Sequence, residues 1–232
     1  MNTIVTPTIL LLLPGLDGTE VFFRPLLASL PKWIRPTVVC FPLARASEYT
    51  DLLRFTREAV SAIPSFFVLG SSFAGPLALM LAAAEPDKVR GVIMATTFVS
   101  PPRRIYARMR FSAVEPSIWL LRLCRRIPVW LSRGPTDQLR ADKAETWRRV
   151  SARIVAARIR ALLRVDARQL LKECPVPILC IAGDSDGVVP RGNVEEIVRL
   201  QPSVRVEILP GGHFVLYTNP TAAAEAISNF MR

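Results

Sequence analysis

At 232 residues, half of them hydrophobic, the chain can bury a sizeable core, and one domain with at most a subdomain is expected. No stretch approaches the roughly 20 apolar residues that cross a bilayer, because Pro, Arg or Asp interrupts each run. The formal net charge of +11 lies almost wholly in residues 98–172, with 18 Lys/Arg against 5 Asp/Glu, whereas 1–97 is net +1 and 173–232 net −3.

The chain opens MNTIVTPTILLLLPGLDG. Its ILLLL run lacks a basic leader, is short for a signal peptide, and runs into Pro-Gly instead of a cleavage site, so it reads as a buried strand and the cytosol as the expected compartment. Strand candidates follow at 8–13, 37–41, 66–70, 89–95, 177–182 and 204–209, most of them apolar on both faces, as strands covered on both sides must be. Helical patterns near 23–30, 49–62, 73–84, 192–200 and 220–231 fall between them. That alternation predicts a parallel, doubly wound sheet with active groups on the loops after the strands' carboxyl ends. Residues 98–172 break the rhythm. They read as helices with joints at Pro101-Pro102, Pro116, Pro128 and Pro135, a helical cap inserted between the fourth and fifth strands. The core is then 1–97 with 173–232. Cys40, Cys124, Cys174 and Cys180 show no metal-ligand spacing and are read as structural thiols, Cys40 and Cys180 within strand-like runs.

Gly70-Ser71-Ser72-Phe73-Ala74-Gly75 joins a strand to a helix in the small-x-Ser-x-small form of a nucleophile elbow, with Ala74 in place of the usual second glycine. A strained apex needs small residues two before and two after. Ser72 has them in Gly70 and Ala74, whereas Ser71 has Leu69 at −2. A serine needs a base to remove its proton, and the chain has one histidine, His213, in a Gly-Gly loop after the last strand. An acid to orient the imidazole should follow the preceding strand, where Asp184 and Asp186 compete. Turn chemistry alone would explain either aspartate.

These residues resemble the α/β-hydrolase superfamily, and its esterase-like members in particular, over nearly the whole chain. The match is carried by LPGLDGT, GSSFAG and GDSDGVVP…GGHFVLYTNP. The resemblance implies a shortened α/β-hydrolase fold of about six parallel strands flanked by helices, with an inserted helical cap. It selects Asp186, three after the glycine, as the acid. It places the oxyanion hole at the backbone N–H groups of Leu16 and Phe73, with Pro14 where the family usually has histidine. The implied activity is serine hydrolysis of a carboxylic ester or thioester with catalytic Ser72, Asp186 and His213, needing no metal or cofactor. A C–C hydrolase or perhydrolase using the same three residues, or a non-catalytic binder on this fold, is the alternative.

In TWRRVSARIVAARIRALLR, Arg149, Arg153, Arg160 and Arg164 share an arc of about 60° on one amphipathic helix, opposite Trp147, Val150, Ile154 and Ala161. Arg122, Arg125 and Arg126 cluster likewise in SIWLLRLCRR. A solvated helix face explains such charge. It would also suit a small-molecule ester presented by an acidic acyl carrier protein, a CoA ester or an anionic membrane surface. The pimeloyl-acyl-carrier-protein methyl esterase, a family member of similar plan, takes its substrate from an acidic carrier. No aromatic-interleaved basic strand or recognition helix accompanies the charge, so no nucleic acid is expected.

Overall fold

The computed structural model describes residues 7–43, 48–102 and 137–232. The arginine-bearing segment around Arg122, Arg125 and Arg126, Cys124, and the joints at Pro116, Pro128 and Pro135 lie outside them. Elements are numbered over the described residues.

Six parallel strands form one sheet in the order β2-β1-β3-β4-β5-β6. They are β1 (Thr8–Leu13), β2 (Ile34–Val38), β3 (Phe66–Ser71), β4 (Val89–Ala95), β5 (Ile178–Gly183) and β6 (Arg205–Leu209). Between them run α1 (Arg24–Ser29), α2 (Tyr49–Ala59), α3 (Gly75–Ala84), α4 (Asp137–Arg149), α5 (Ala152–Arg164), α6 (Arg168–Lys172) and α7 (Arg191–Leu200), and after β6 come α8 (Val215–Thr218) and α9 (Pro220–Met231).

Period-two alternation splits the strand residues between two core layers. Leu11, Leu13, Val68, Val92, Met94 and Cys180 pack on the face covered by α3. Leu10, Leu12, Leu69, Ile93, Leu179 and Ile181 pack on the other face with residues of α1 and α9. α3 reads GPLALMLAAA, apolar all round, and is almost wholly buried because it lies against the centre of the sheet.

Two strand predictions shift at the edges. β2 begins three residues before the expected 37–41 and contains Pro36, which an edge strand accommodates on its unpaired side. Cys40 therefore lies beyond the strand and is exposed rather than buried like a strand thiol. Its Sγ donates to Glu20 Oε2 at 3.3 Å, and partial burial with that carboxylate pushes its pKa up to about 11. Cys180 is buried in β5, where desolvation pushes the thiol up to about 12. At the other edge, β6 exposes Val206 and Ile208 instead of being covered on both faces.

The 146–164 pattern also departs from expectation, since it is two helices. Ser151 breaks it with an extended backbone (ψ 150°) and caps α5 by accepting from Ile154 N–H. Arg149 therefore ends α4, while Arg153, Arg160 and Arg164 belong to α5. In the chain these helices fall between β4 and β5, and α5 ends on the core, burying Ala161 and Leu162 in the α3-side layer.

Candidate functional site

The order in which successive strands are added to the sheet reverses between β1 and β3, whose carboxyl ends flank a crevice. Pro14 to Gly18 leave β1 on one side of it, and Ser72 leaves β3 on the other.

Ser72 occupies a single 3-10 turn, Ser72–Ala74, between β3 and α3, with φ of 50°. The left-handed region costs a non-glycine residue about 1–2 kcal/mol, so the neighbours must hold it there. The need for a small residue at 70 has a direct cause. A Cβ on Gly70 would stand 2.3 Å from the Ala74 carbonyl oxygen. Two hydroxyls fasten the turn from outside: Thr97 Oγ1 donates to the Ser72 carbonyl, and Tyr49 Oη donates to the Phe73 carbonyl at 2.8 Å. Tyr49 also stacks on the Phe73 ring, with centroids 4.7 Å apart. Neither hydroxyl is visible in the sequence as a partner of the elbow, because both arrive from other elements. Thr97 reaches it by following Thr96, which itself takes φ of 46° and donates its N–H to Ile181 O at 2.7 Å.

The acid and base loops pack against each other. Gly183 must lack a side chain because a Cβ there would lie 2.4 Å from Gly211 O, and Ser185 N–H donates to that carbonyl at 3.0 Å. This contact separates the two aspartates. Asp184 Oδ1 accepts from Gly211 N–H at 3.0 Å and so braces the histidine loop. Asp186 Oδ1 accepts from the Val188 and Val189 N–H groups at 2.8 and 2.9 Å, which leaves Oδ2 on His213 Nδ1 at 2.9 Å. His213 Nε2 lies 2.9 Å from Ser72 Oγ. A carboxylate can only accept, so Nδ1 carries a proton, and in the neutral imidazole Nε2 then presents its lone pair to the Ser72 hydroxyl. Asp186 and His213 side chains are only 4% and 11% exposed, which keeps water from competing for these bonds.

Leu16 and Phe73 follow the same two strand ends and line the space beside Ser72. A Cβ on Gly15 would sit 3.7 Å from Ser72 Cβ, so the 14–18 loop lies against the serine. The space itself is a cavity of about 310 Å³ with mainly apolar walls, among them Phe22, Trp147, Leu162 and Phe214. Besides His213, three ionisable groups border it. Burial raises the Asp17 pKa, although Thr19 donates to its carboxylate through both N–H and hydroxyl. Burial lowers that of Lys143, whose ammonium stands 4.5 Å over the Phe214 ring. Tyr217 is pushed up to about 12 by burial and by its hydrogen bond to Asp142 at 2.7 Å.

The four arginines expected to form one face are not equivalent. Arg149 pairs with Glu20 at 2.8 Å and Glu145 at 3.1 Å, and Arg164 with Glu48 at 2.6 Å. Arg153 and Arg160 are exposed and make no ion pair among the described residues. The arginine that sequence reasoning passed over, Arg158, is fully buried and touches the 14–18 loop. Its signal was present. At about 100° per residue it falls on the apolar side of its helix, with Ile154 and Ala161. Among the described residues no cluster of His, Cys, Asp and Glu could hold a metal ion, and no helix is long and apolar enough to cross a membrane.

The fold recurs in solved structures. An esterase from Exiguobacterium antarcticum superposes with a TM-score of 0.85 at 16% identity, over 97% of this chain and 92% of its own. A lipase-esterase related protein from Clostridium acetobutylicum gives 0.78 at 18% identity, over 97% and 95%. A bromoperoxidase from Bacillus anthracis gives 0.83 at 16% identity, over 97% and 92%. At such identities the likeness is one of fold, and no curated protein sequence matches the chain significantly. The family model of the alpha/beta hydrolases matches residues 10–226, nearly the full span of the sheet and its connections, and the chain belongs to the alpha/beta hydrolase family.

Proposed function

We propose that the protein is a serine hydrolase that cleaves a carboxylic ester or thioester through an acyl-enzyme intermediate. The observation that carries this reading is the hydrogen-bonded chain Ser72–His213–Asp186, at 2.9 Å for each link, facing an apolar cavity. In this mechanism Ser72 Oγ attacks the carbonyl carbon as His213 Nε2 takes its proton. Asp186 holds the ring and offsets the imidazolium charge. The Leu16 and Phe73 N–H groups stabilise the oxyanion. His213 then returns the proton to the leaving alcohol or thiol. Water attacks the acyl-enzyme with His213 again as base, releasing acid and free Ser72.

The mainly apolar walls suit an acyl or alcohol portion without charge along its length. Only Arg153 and Arg160 of the four arginines face outward without an ion pair among the described residues, so they are the part of the basic helix open to an acidic carrier or anionic surface presenting the substrate.

A fluorophosphonate probe with a p-nitrophenyl ester series tests the reading. Wild type should label at Ser72 and turn over at least one chain length, and Ser72→Ala should do neither. Labelling without turnover of any ester or thioester would favour a binder. Peracid formation from ester and hydrogen peroxide, faster than hydrolysis, would favour the perhydrolase.

A further inference from the structure

α5 carries Arg158 in a place where arginine is a poor choice for stability. The residue is fully buried, and its Nε has no hydrogen-bond partner among the described residues. Burial pushes its pKa down to about 10 despite the Asp17 charge nearby. An apolar side chain of similar volume would avoid that desolvation, and replacing buried charges in this way is often neutral or stabilising. What the guanidinium does there is grip two chain segments. Nη1 donates to the Leu16 carbonyl at 2.9 Å, and Nη2 to the Pro42 carbonyl at 3.0 Å. The guanidinium carbon lies 5.5 Å from the Phe41 ring centroid.

The loop has been shaped to receive it. Gly18 has φ of 73°, and a Cβ there would stand 2.4 Å from Arg158 Nη1. Gly18 N–H donates to Gly15 O at 3.0 Å, and Phe41 N–H donates to Gly18 O at 2.8 Å. The Gly15 carbonyl belongs to the same planar peptide unit as the Leu16 N–H. The turn bond thus fixes the peptide before the Leu16 α-carbon, and Arg158 fixes the peptide after it. Between them both Leu16 dihedrals are held. The Leu16 side chain packs on the cluster built from Val150, Ile154 and Ile159.

We propose that Arg158 is a positioning residue which, by clamping the Leu16 and Pro42 carbonyls, aims the Leu16 N–H at the oxyanion. The clamp rests on the serine-hydrolase reading for its consequence, but its geometry stands apart from it. α5 thereby couples the helical segment before β5 to the reacting centre. Lysine could reach one carbonyl but not hold both in the planar fork that arginine supplies.

Arg158→Met and Arg158→Lys in the full chain test this. For Arg158→Met, kcat on the best ester should fall on the order of ten- to a hundredfold with KM within about threefold, since only the transition state uses the oxyanion donor. Binding of a trifluoromethyl ketone, whose hemiketal oxygen mimics the oxyanion, should weaken in step with kcat. Arg158→Lys should recover part of both. Amide exchange in residues 14–18 should quicken in Arg158→Met while peptides from α3 and α9 keep theirs. Unchanged kcat per titrated active site, or ketone binding unaffected, overturns the positioning role. Unchanged exchange in 14–18 overturns the clamp. Should Arg158→Met fail to fold, Arg158→Lys with the same measurements decides. Should wild type neither label nor turn over, the hydrolase reading and with it the oxyanion role fall, and the exchange measurement still decides the clamp.

Discussion

The carboxyl edge of the sheet and the arginine-bearing pair α4–α5 use polar groups in opposite ways. At the sheet edge, a few side chains are each committed to defined partners. Asp184 holds Gly211, Asp186 holds His213, His213 meets Ser72, and Thr97 and Tyr49 fasten the turn beneath. Along α4 and α5, most arginines disperse into exposed positions and exposed pairs such as Arg149–Glu20 and Arg164–Glu48, while Asp142, Lys143 and Arg158 are the charged groups buried there. Exposed pairs contribute little, typically under about 1 kcal/mol, because water screens them and long side chains lose freedom in forming them. Burial, rather than charge, decides where a polar residue has a defined task.

The sharpest break of that comparison is between the two aspartates of one loop. Asp186→Asn should lower ester turnover on the order of a thousandfold or more, since the imidazole loses its orienting acceptor. Asp184→Asn, which keeps an oxygen for Gly211 N–H, should stay within about tenfold. Equal losses in initial-rate assays would erase the distinction. Next in size is Gly70→Ala. Its Cβ would stand 2.3 Å from the Ala74 carbonyl, so the elbow must shift, and a destabilisation of about 2–3 kcal/mol in urea titration is expected. A midpoint equal to wild type would show that the turn has slack.

Smaller effects test the helical side. Arg153→Gln with Arg160→Gln should leave p-nitrophenyl ester turnover unchanged. On an ester presented by an acidic carrier the pair should lower kcat/KM about three- to tenfold at low salt, with the difference vanishing at high salt. No effect at any salt concentration would remove these arginines from substrate delivery. The smallest effect is acid sensitivity. Hydrogen bonding to Arg149 holds the Glu20 carboxyl at about 2, below its ordinary 4.5. A depressed acid stabilises the fold fully above pH 4.5 and loses that contribution as pH falls toward 2. Glu20 is a third exposed, so Glu20→Gln should flatten the acid limb of a thermal-unfolding profile only slightly. A slope equal to wild type between pH 5 and 2 would show that the pair contributes nothing.

Much of the architecture was legible before any coordinates. The limits of β1 and β4 match the apolar runs to the residue, because both are central or next to central and flanked by abrupt changes of character. At the edges, β2 starts three residues earlier than expected, and β6, within one residue of its expected limits, departs by exposing Val206 and Ile208. Ser72 and His213 stood out from local chemistry, one by its small neighbours and the other by being the only imidazole. The choice of Asp186 over Asp184 came from resemblance, and in the structure it is Asp186 that meets His213 while Asp184 turns to the adjacent backbone. The arginine arc misled because helical periodicity was extended through Ser151, a residue that ends one helix and caps the next.

By itself the amino-acid order determined the alternation of strands and helices, the small residues around the elbow and the identities of its polar groups. Those are local matters of backbone sterics and side-chain period. Only the folded chain decided what each polar group would touch. Thr97, Tyr49 and Arg158 lie 25, 23 and 86 residues from Ser72 and reach its surroundings through the packing of separate elements on one sheet. Such contacts depend on distances across space, which no local pattern of residues encodes.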